Sequence, residues 1–342
     1  MIVRFGYVAM STVIPDCSPS KTMTMASFNK LGDREAGLRK LESIARMNLH
    51  NTLRLLKHNV GSDIEVYRLT SKLVPLATHP DLADWNPLDA LAEEFAVVGS
   101  YVKKHGLRVS FHPDHFTVLS TPRPEVLASS IRDLQHHTDM LDAMGLPATA
   151  KSNIHIGGAY GDKPLSAERF CVQCSALPLA LRERMTLEND DKTFNAVETL
   201  AVCRRMGLPM VLDIHHQWVN NEGELPWELW PEILKTWTSP LALKDVPPGG
   251  HLPPKIHVSS PRSPSDPRSH ADGVEPAPLV AFLKRIAADT PAVDVMIEAK
   301  HKDGALFGLM EEMKGLAEGG NGIMVLNGAS VNIQVETALP SF

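Results

Sequence analysis

Met185-Thr186-Leu187-Glu188, a helical pattern over 193–206 closed by Gly207, and then Val211-Leu212-Asp213: this stretch decides the fold. Two short apolar runs each end on a carboxylate, and the helix between them carries the chain back to begin the next run. That is a strand–helix–strand unit with parallel strands. The rhythm continues on both sides. Val109-Ser110-Phe111-His112, Asn153-Ile154-His155, Ile256-His257 and Val295-Met296-Ile297-Glu298 also end on an imidazole or a carboxylate. The six end residues are spaced by roughly 25 to 45 positions, about one strand–helix unit each, which predicts an α/β fold of the TIM (β/α)8 barrel type. Strand C-termini of such a barrel converge on one mouth, where the chemistry sits. Six metal-ligating side chains aimed at one mouth point to a metal cluster.

Outward from this unit, apolar runs over 2–9 and 64–69 supply the missing strands and bring the count to eight. Helices are expected over 34–58, 86–104, 124–144, 166–182, 227–234, 277–288 and 303–316, with Asp33 as an N-cap and Gly106 and Gly145 as C-terminal stops. Residues 239–254 hold five prolines and two glycines and read as loop. Residues 259–269, rich in Ser, Pro and Arg, read as a long βα loop at the mouth. The barrel domain is expected over 1–317. The remainder, 318–342, fits no further strand–helix unit and reads as a tail, either a short hairpin or disordered.

The chain has 342 residues, 43% hydrophobic and 22% charged, in the range of a water-soluble globular protein. Four cysteines do not make a disulfide framework, and a reducing cytoplasm is the expected compartment. No signal peptide and no apolar run long enough for a membrane span are visible, so no membrane partner is expected. The net charge of −6 argues against a nucleic-acid partner. Divalent metals at the mouth would reverse the local sign and remove that objection.

Each ligand candidate has a plainer role when taken alone. Asp213 could be a helix N-cap, with His216 three residues on; Asp190 and Asp191 could serve a helix N-terminus. Glu188 is harder to dismiss, because a carboxylate ending a buried strand needs a partner or a metal. His112 and His155 gain weight from joint placement at strand ends. Lys255 shares a face with His257 at the strand period of two. A cation there either binds an anion or carries a carbamate, which supplies two oxygen ligands. Cys171-Val172-Gln173-Cys174 lies in a helical pattern without a second pair and is discounted as a zinc or redox site.

Taken in order, the motifs resemble those of the UV damage endonucleases, relatives of endonuclease IV in the xylose-isomerase-like group of barrels. The matching stretches are Phe5-Gly6-Tyr7, Tyr67-Arg68-Leu69-Thr70-Ser71, Pro75-Leu76-Ala77-Thr78-His79-Pro80, His112-Pro113, Asn153-Ile154-His155-Ile156-Gly157-Gly158, Leu187-Glu188-Asn189-Asp190-Asp191, Asp213-Ile214-His215-His216, Lys255-Ile256-His257-Val258-Ser259, His270-Ala271-Asp272 and Glu298-Ala299-Lys300. The resemblance implies an ATP-independent DNA repair endonuclease. Such an enzyme nicks the backbone immediately 5′ to pyrimidine dimers and 6-4 products by metal-assisted hydrolysis, leaving a 3′-hydroxyl.

It further implies three divalent metal ions, manganese first and zinc second. His112, His155 and Glu188 would hold one; Glu188, Asp213, His257 and Glu298 a second; His216, His270 and a carbamate on Lys255 a third. His79 would line the site near the scissile phosphate, so that His79, Glu188, Lys255 and Glu298 form the catalytic set. Tyr7 and the pair His115-Phe116 would probe the duplex, although members of the family commonly carry Gln-Tyr at that pair. Arg68, Lys300 and Lys302 are candidates to hold phosphates. The expected partner is UV-damaged double-stranded DNA and the expected state a monomer. The alternatives are an abasic-site endonuclease of the endonuclease IV type and a metal-dependent sugar isomerase or epimerase on the same barrel. The number of histidines and the Ser/Pro/Arg loop favour phosphodiester chemistry.

Overall fold

The computed structural model describes residues 1–335. The barrel is entered by β1 (Ile2–Val8), β2 (Val66–Arg68), β3 (Arg108–Phe111), β4 (Lys151–His155), β5 (Met185–Glu188), β6 (Met210–Asp213) and β7 (Lys255–Val258). A separate hairpin follows, β8 (Pro261–Ser263) and β9 (Asp266–His270), and β10 (Ala292–Ile297) is the eighth barrel strand. All eight pair in parallel, and β10 closes the ring on β1 with a register running from Ile2↔Ala292 to Tyr7↔Ile297. The strands read as near-continuous apolar runs because helices cover the outside while side chains fill the inside.

The outer layer comprises α1 (Met25–Asn29), α2 (Arg34–Gly61), α3 (Pro87–Ala90), α4 (Ala92–Lys104), α5 (Pro124–Ala143), α6 (Lys163–Ser175), α7 (Leu179–Glu183), α8 (Ala196–Met206), α9 (Ile214–Val219), α10 (Pro226–Thr236), α11 (Pro276–Ile286) and α12 (Lys302–Glu318). Asp33 caps α2 by accepting the Glu35 amide, and Gly207 ends α8 in the left-handed region. Among the described residues no helix is long and apolar enough to cross a membrane.

Several boundaries differ from the sequence expectation. The helix expected over 166–182 is two helices, because Pro178 cannot continue a helical hydrogen-bond ladder and starts α7 instead. The helix expected over 86–104 breaks at Leu91, which leaves helical backbone angles (φ −120°, ψ 14°). The long loop of 259–269 is the β8–β9 hairpin, and the short helix α9 follows β6 directly.

Beyond α12, β11 (Ile323–Asn327) and β12 (Ser330–Ile333) form an antiparallel hairpin. β12 pairs with the first half of β1, from Ile2↔Asn332 to Arg4↔Ser330, while β2 pairs with its second half, Gly6↔Val66 to Val8↔Arg68. The two neighbours thus divide one strand edge between them. A glycine is needed at 328, where a Cβ would lie 2.8 Å from the Ser62 carbonyl oxygen. The part of the expected tail at 336–342 lies outside the described residues.

Candidate metal centre

Parallel pairing brings the polar strand ends to one mouth. His112 follows β3, His155 ends β4, Glu188 ends β5, Asp213 ends β6, His257 lies on β7 and Glu298 follows β10. Three groups of ligand-capable side chains form there: His112, His155 and Glu188; Glu188, Asp213 and His216; Glu188, His257 and Glu298. Within each group the donor atoms lie within 4.8 Å of one another. Glu188 belongs to all three.

Glu188 is 1% exposed. Its Oε2 faces His112 Nε2 at 3.1 Å and accepts from the Asn153 amide; its Oε1 faces His257 Nδ1 at 3.0 Å. Thr186 Oγ1 donates to Asn153 Oδ1 at 2.7 Å and so turns the Asn153 amide group toward Glu188. Burial alone would raise the Glu188 pKa, but His257 and His155 hold it well below the usual carboxylate range. The same balance acts in reverse on the imidazoles. Burial would lower His216 and His257, yet Asp213 with Glu188, and Glu188 with Glu298, push them up to about 9.

Four ring nitrogens are fixed by backbone carbonyls. Nδ1 of His112 donates to Pro113 O (2.9 Å), that of His155 to Glu188 O (3.2 Å), that of His216 to Asn189 O (2.9 Å) and that of His270 to Glu298 O (2.6 Å). A carbonyl only accepts, so each Nδ1 carries a proton, and Nε2 is the ring nitrogen that can bind a ligand once it gives up its own proton. Metal-binding histidines are held in the same way.

Asp213 is fully buried. Its Oδ1 caps α9 by accepting the His216 amide at 2.7 Å, and its Oδ2 has no hydrogen-bond partner. Asn189 clamps the backbone beside it, donating to Asp213 O (3.0 Å) and accepting from Asp213 N (2.9 Å). Burial raises the Asp213 pKa, with Glu188 and Glu298 adding to the effect against the pull of His216. An orphaned buried carboxylate oxygen among two further carboxylates is a site that wants a cation. Asn153 and Asn189 stood in the sequence motifs without an assigned role, and the signal that could have found them is their place at or beside a ligand-bearing strand end.

The remaining predicted residues are placed as follows. His270 ends β9, its ring 6.3 Å from that of His216, but it joins none of the three groups. Lys255 begins β7 one level deeper, buried, with Nζ donating to Ser110 Oγ at 2.9 Å. Burial, together with Arg108, holds its pKa well below the ordinary lysine value. His79 is half-buried in the segment after β2, where Nδ1 accepts the Asp81 amide. Arg68 is paired with Glu298. Lys300 is exposed and Lys302 half-buried at the start of α12. The rings of His115 and Phe116 lie 4.0 Å apart between centroids, tilted by 41°, and Phe116 is 71% exposed. Tyr7 requires a correction: it is fully buried, its hydroxyl donates to Asn59 Oδ1 at 2.8 Å, and it has no surface with which to probe a duplex. Its odd-numbered position on β1 places it with Val3 and Phe5 in the packed core.

The family model of the UV-endonuclease UvdE matches residues 3–327. The chain is 43% identical over 320 residues to a UV DNA damage endonuclease of Bacillus velezensis, covering 92% of this chain and 95% of that protein. It is equally 43% identical over 316 residues to one of Halalkalibacterium halodurans, covering 92% and 94%. A crystal structure of SacUVDE superposes with a TM-score of 0.78 at 28% identity, over 92% of this chain and 99% of that one. Endonuclease IV of Thermus thermophilus shares the barrel fold, with a TM-score of 0.53 at 14% identity over 92% and 99%. A closed parallel barrel, a carboxylate–imidazole mouth and a whole-length match together establish that the chain belongs to the UV-endonuclease UvdE family and is a DNA-cutting enzyme.

Proposed function

We propose that the protein nicks double-stranded DNA immediately 5′ to UV photoproducts, pyrimidine dimers and 6-4 products alike, by ATP-independent, metal-assisted hydrolysis of the phosphodiester. The observation that carries this reading is Glu188, shared by three ligand groups at the mouth of a UvdE-family barrel. The residues fit divalent ions, since Asp213 Oδ2 is buried without a hydrogen-bond partner and the rings of His112, His155 and His216 are oriented by backbone carbonyls at Nδ1. Three ions, manganese first and zinc second, would be held by His112, His155 and Glu188; by Glu188, Asp213, His257 and Glu298; and by His216 and His270. A carbamate on Lys255 would complete the third set, and the uncharged amine that burial favours is the form that reacts with CO₂. When bound, such ions neutralise phosphate charge and lower the pKa of a water toward neutrality.

The chain's own side chains do the rest. Glu188 stays anionic and central, steadied by Asn153. His79 follows β2, on the mouth face, in reach of the scissile phosphate. Lys300 and Lys302 hold flanking phosphates at the entrance to α12. The exposed ring of Phe116, beside that of His115, wedges into the duplex, and a photodimer, already poorly stacked, yields at the lowest cost. The barrel of residues 1–317 acts as the catalytic unit, with the β11–β12 hairpin as its brace. The protein acts as a monomer, and its four unpaired cysteines suit the cytoplasm.

End-labelled duplexes carrying a photodimer, an abasic site or no lesion, incubated with Mn²⁺, test the reading. The expected product is a single nick directly 5′ to the photodimer. Equal cutting of undamaged duplex, or cutting at the abasic site alone, would overturn it.

A further inference from the structure

One contact in the mouth joins a ligand candidate to a cation. Arg68, the last residue of β2, reaches past the end of β1 and donates through Nη1 to Glu298 Oε1, just beyond β10. The same oxygen faces His257 Nδ1 at 3.0 Å, and both carboxylate and ring belong to the Glu188–His257–Glu298 group. The side chains are shielded, Arg68 at 15% and Glu298 at 13% exposure, so solvent does little to screen the pair. A dication bound by this group meets two obstacles: a lone-pair oxygen already given to a guanidinium, and a fixed positive charge beside it.

Lys302 adds a second cation. It is half-buried and opens α12, four residues after Glu298. Its backbone is held in the left-handed region (φ 51°), a conformation a lysine adopts only under constraint. Arg68 is paired with the Glu298 carboxylate, and Lys302 follows it along the chain. Giving that carboxylate to a metal leaves Arg68 without its counter-charge, at the edge of a site that receives a phosphodiester.

We infer that Arg68 is a positioning residue that trades Glu298 for a DNA phosphate: it guards Glu298 in the metal-free protein and, released by metal binding, joins Lys302 in holding the backbone of the bound strand. This rests on the metal reading given above. Metal occupancy and DNA affinity are then coupled through one side chain, and the coupling is reciprocal.

The test measures two affinities on the full-length protein. Free Mn²⁺ is counted by its paramagnetic resonance signal while chelator-stripped protein is titrated. Polarisation of a fluorescent undamaged duplex is followed with and without Mn²⁺ over a range of salt. Arg68→Gln is expected to bind Mn²⁺ about tenfold tighter and, in saturating Mn²⁺, to bind duplex about tenfold more weakly. Its log–log salt dependence should be shallower by about one. Arg68→Lys, which keeps the charge, should restore the salt slope and give an intermediate Mn²⁺ affinity. Opposite signs on the two affinities are not produced by general loss of structure. Unchanged or weaker Mn²⁺ binding by Arg68→Gln overturns the inference, as does duplex binding in Mn²⁺ that matches wild type. Wild-type protein that takes up no Mn²⁺ overturns the metal reading itself, and the role of Arg68 with it.

Discussion

The two ends of the barrel bury charge in opposite ways. At the floor, Asp294 on β10 is fully buried and accepts from Arg4 Nε (2.7 Å), Arg4 Nη2 (2.9 Å) and Arg108 Nη1 (2.5 Å). The arginines hold its pKa below the ordinary range although burial opposes them. Lys151 is likewise satisfied by the carbonyls of Glu183 and Leu241. At the mouth, three carboxylates crowd together, one oxygen of Asp213 has no hydrogen-bond partner, and imidazoles are drawn into the role of counter-ions. Floor charges close upon themselves and read as structure. Mouth charges are incomplete and read as a site for something to be supplied.

Substitutions at the two ends should therefore separate cleanly. The largest effect is expected from Glu188→Gln. Nicking of UV-irradiated plasmid should fall by at least about a thousandfold, since the charge common to all three groups is removed, while circular dichroism stays native. Undiminished nicking would take Glu188 out of the chemistry. Next, Asp294→Asn takes the buried carboxylate from Arg108 and leaves Arg4 with Glu65 alone, and should lower unfolding free energy by about 3–5 kcal/mol in a urea titration, with metal content per folded molecule unchanged. A mutant as stable as wild type would erase the contrast between the ends. Asp213→Asn should show the reverse pattern. Metal affinity measured by calorimetry drops roughly 10- to 100-fold, while the metal-free protein is as stable as wild type or gains about 1 kcal/mol. The smallest effect belongs to Phe116→Ala on the exposed rim: KM for a photodimer duplex should rise about tenfold with stability untouched, the scale of one lost base–aromatic stack.

The mouth was legible in the sequence and the floor was not, for a physical reason. A strand that ends in His or Glu after an apolar run breaks its own pattern, and the break is visible at Glu188, Asp213 and Glu298. Arg4, Arg108 and Asp294 sit on three strands far apart in sequence. Each looks like an ordinary polar residue at a strand edge until parallel pairing brings them together. Tyr7 misled because a motif match carries residue identity but not depth, and its hydroxyl is spent on Asn59. The β8–β9 hairpin hid in a Ser/Pro/Arg-rich stretch whose pairing is fixed by Pro261↔His270 and Ser263↔Asp266 rather than by an alternating pattern. Arg68 was read as a phosphate holder, and its grip on Glu298 became visible only once β2 and β10 lay either side of β1.

The division of β1 between its neighbours bears on how the molecule is made. That strand precedes the other barrel strands in the chain, yet it pairs with β10 along Ile2 to Tyr7 and with β12 along Ile2 to Arg4, both of which lie some 290 or more residues later. Only its stretch from Gly6 to Val8 finds an early companion, β2. A nascent chain on the ribosome thus carries Val3-Arg4-Phe5 as an open, sticky ribbon until β10 and β12 have been made, and ring closure by such distant segments is slow. Holdase chaperones are the natural protection for that interval.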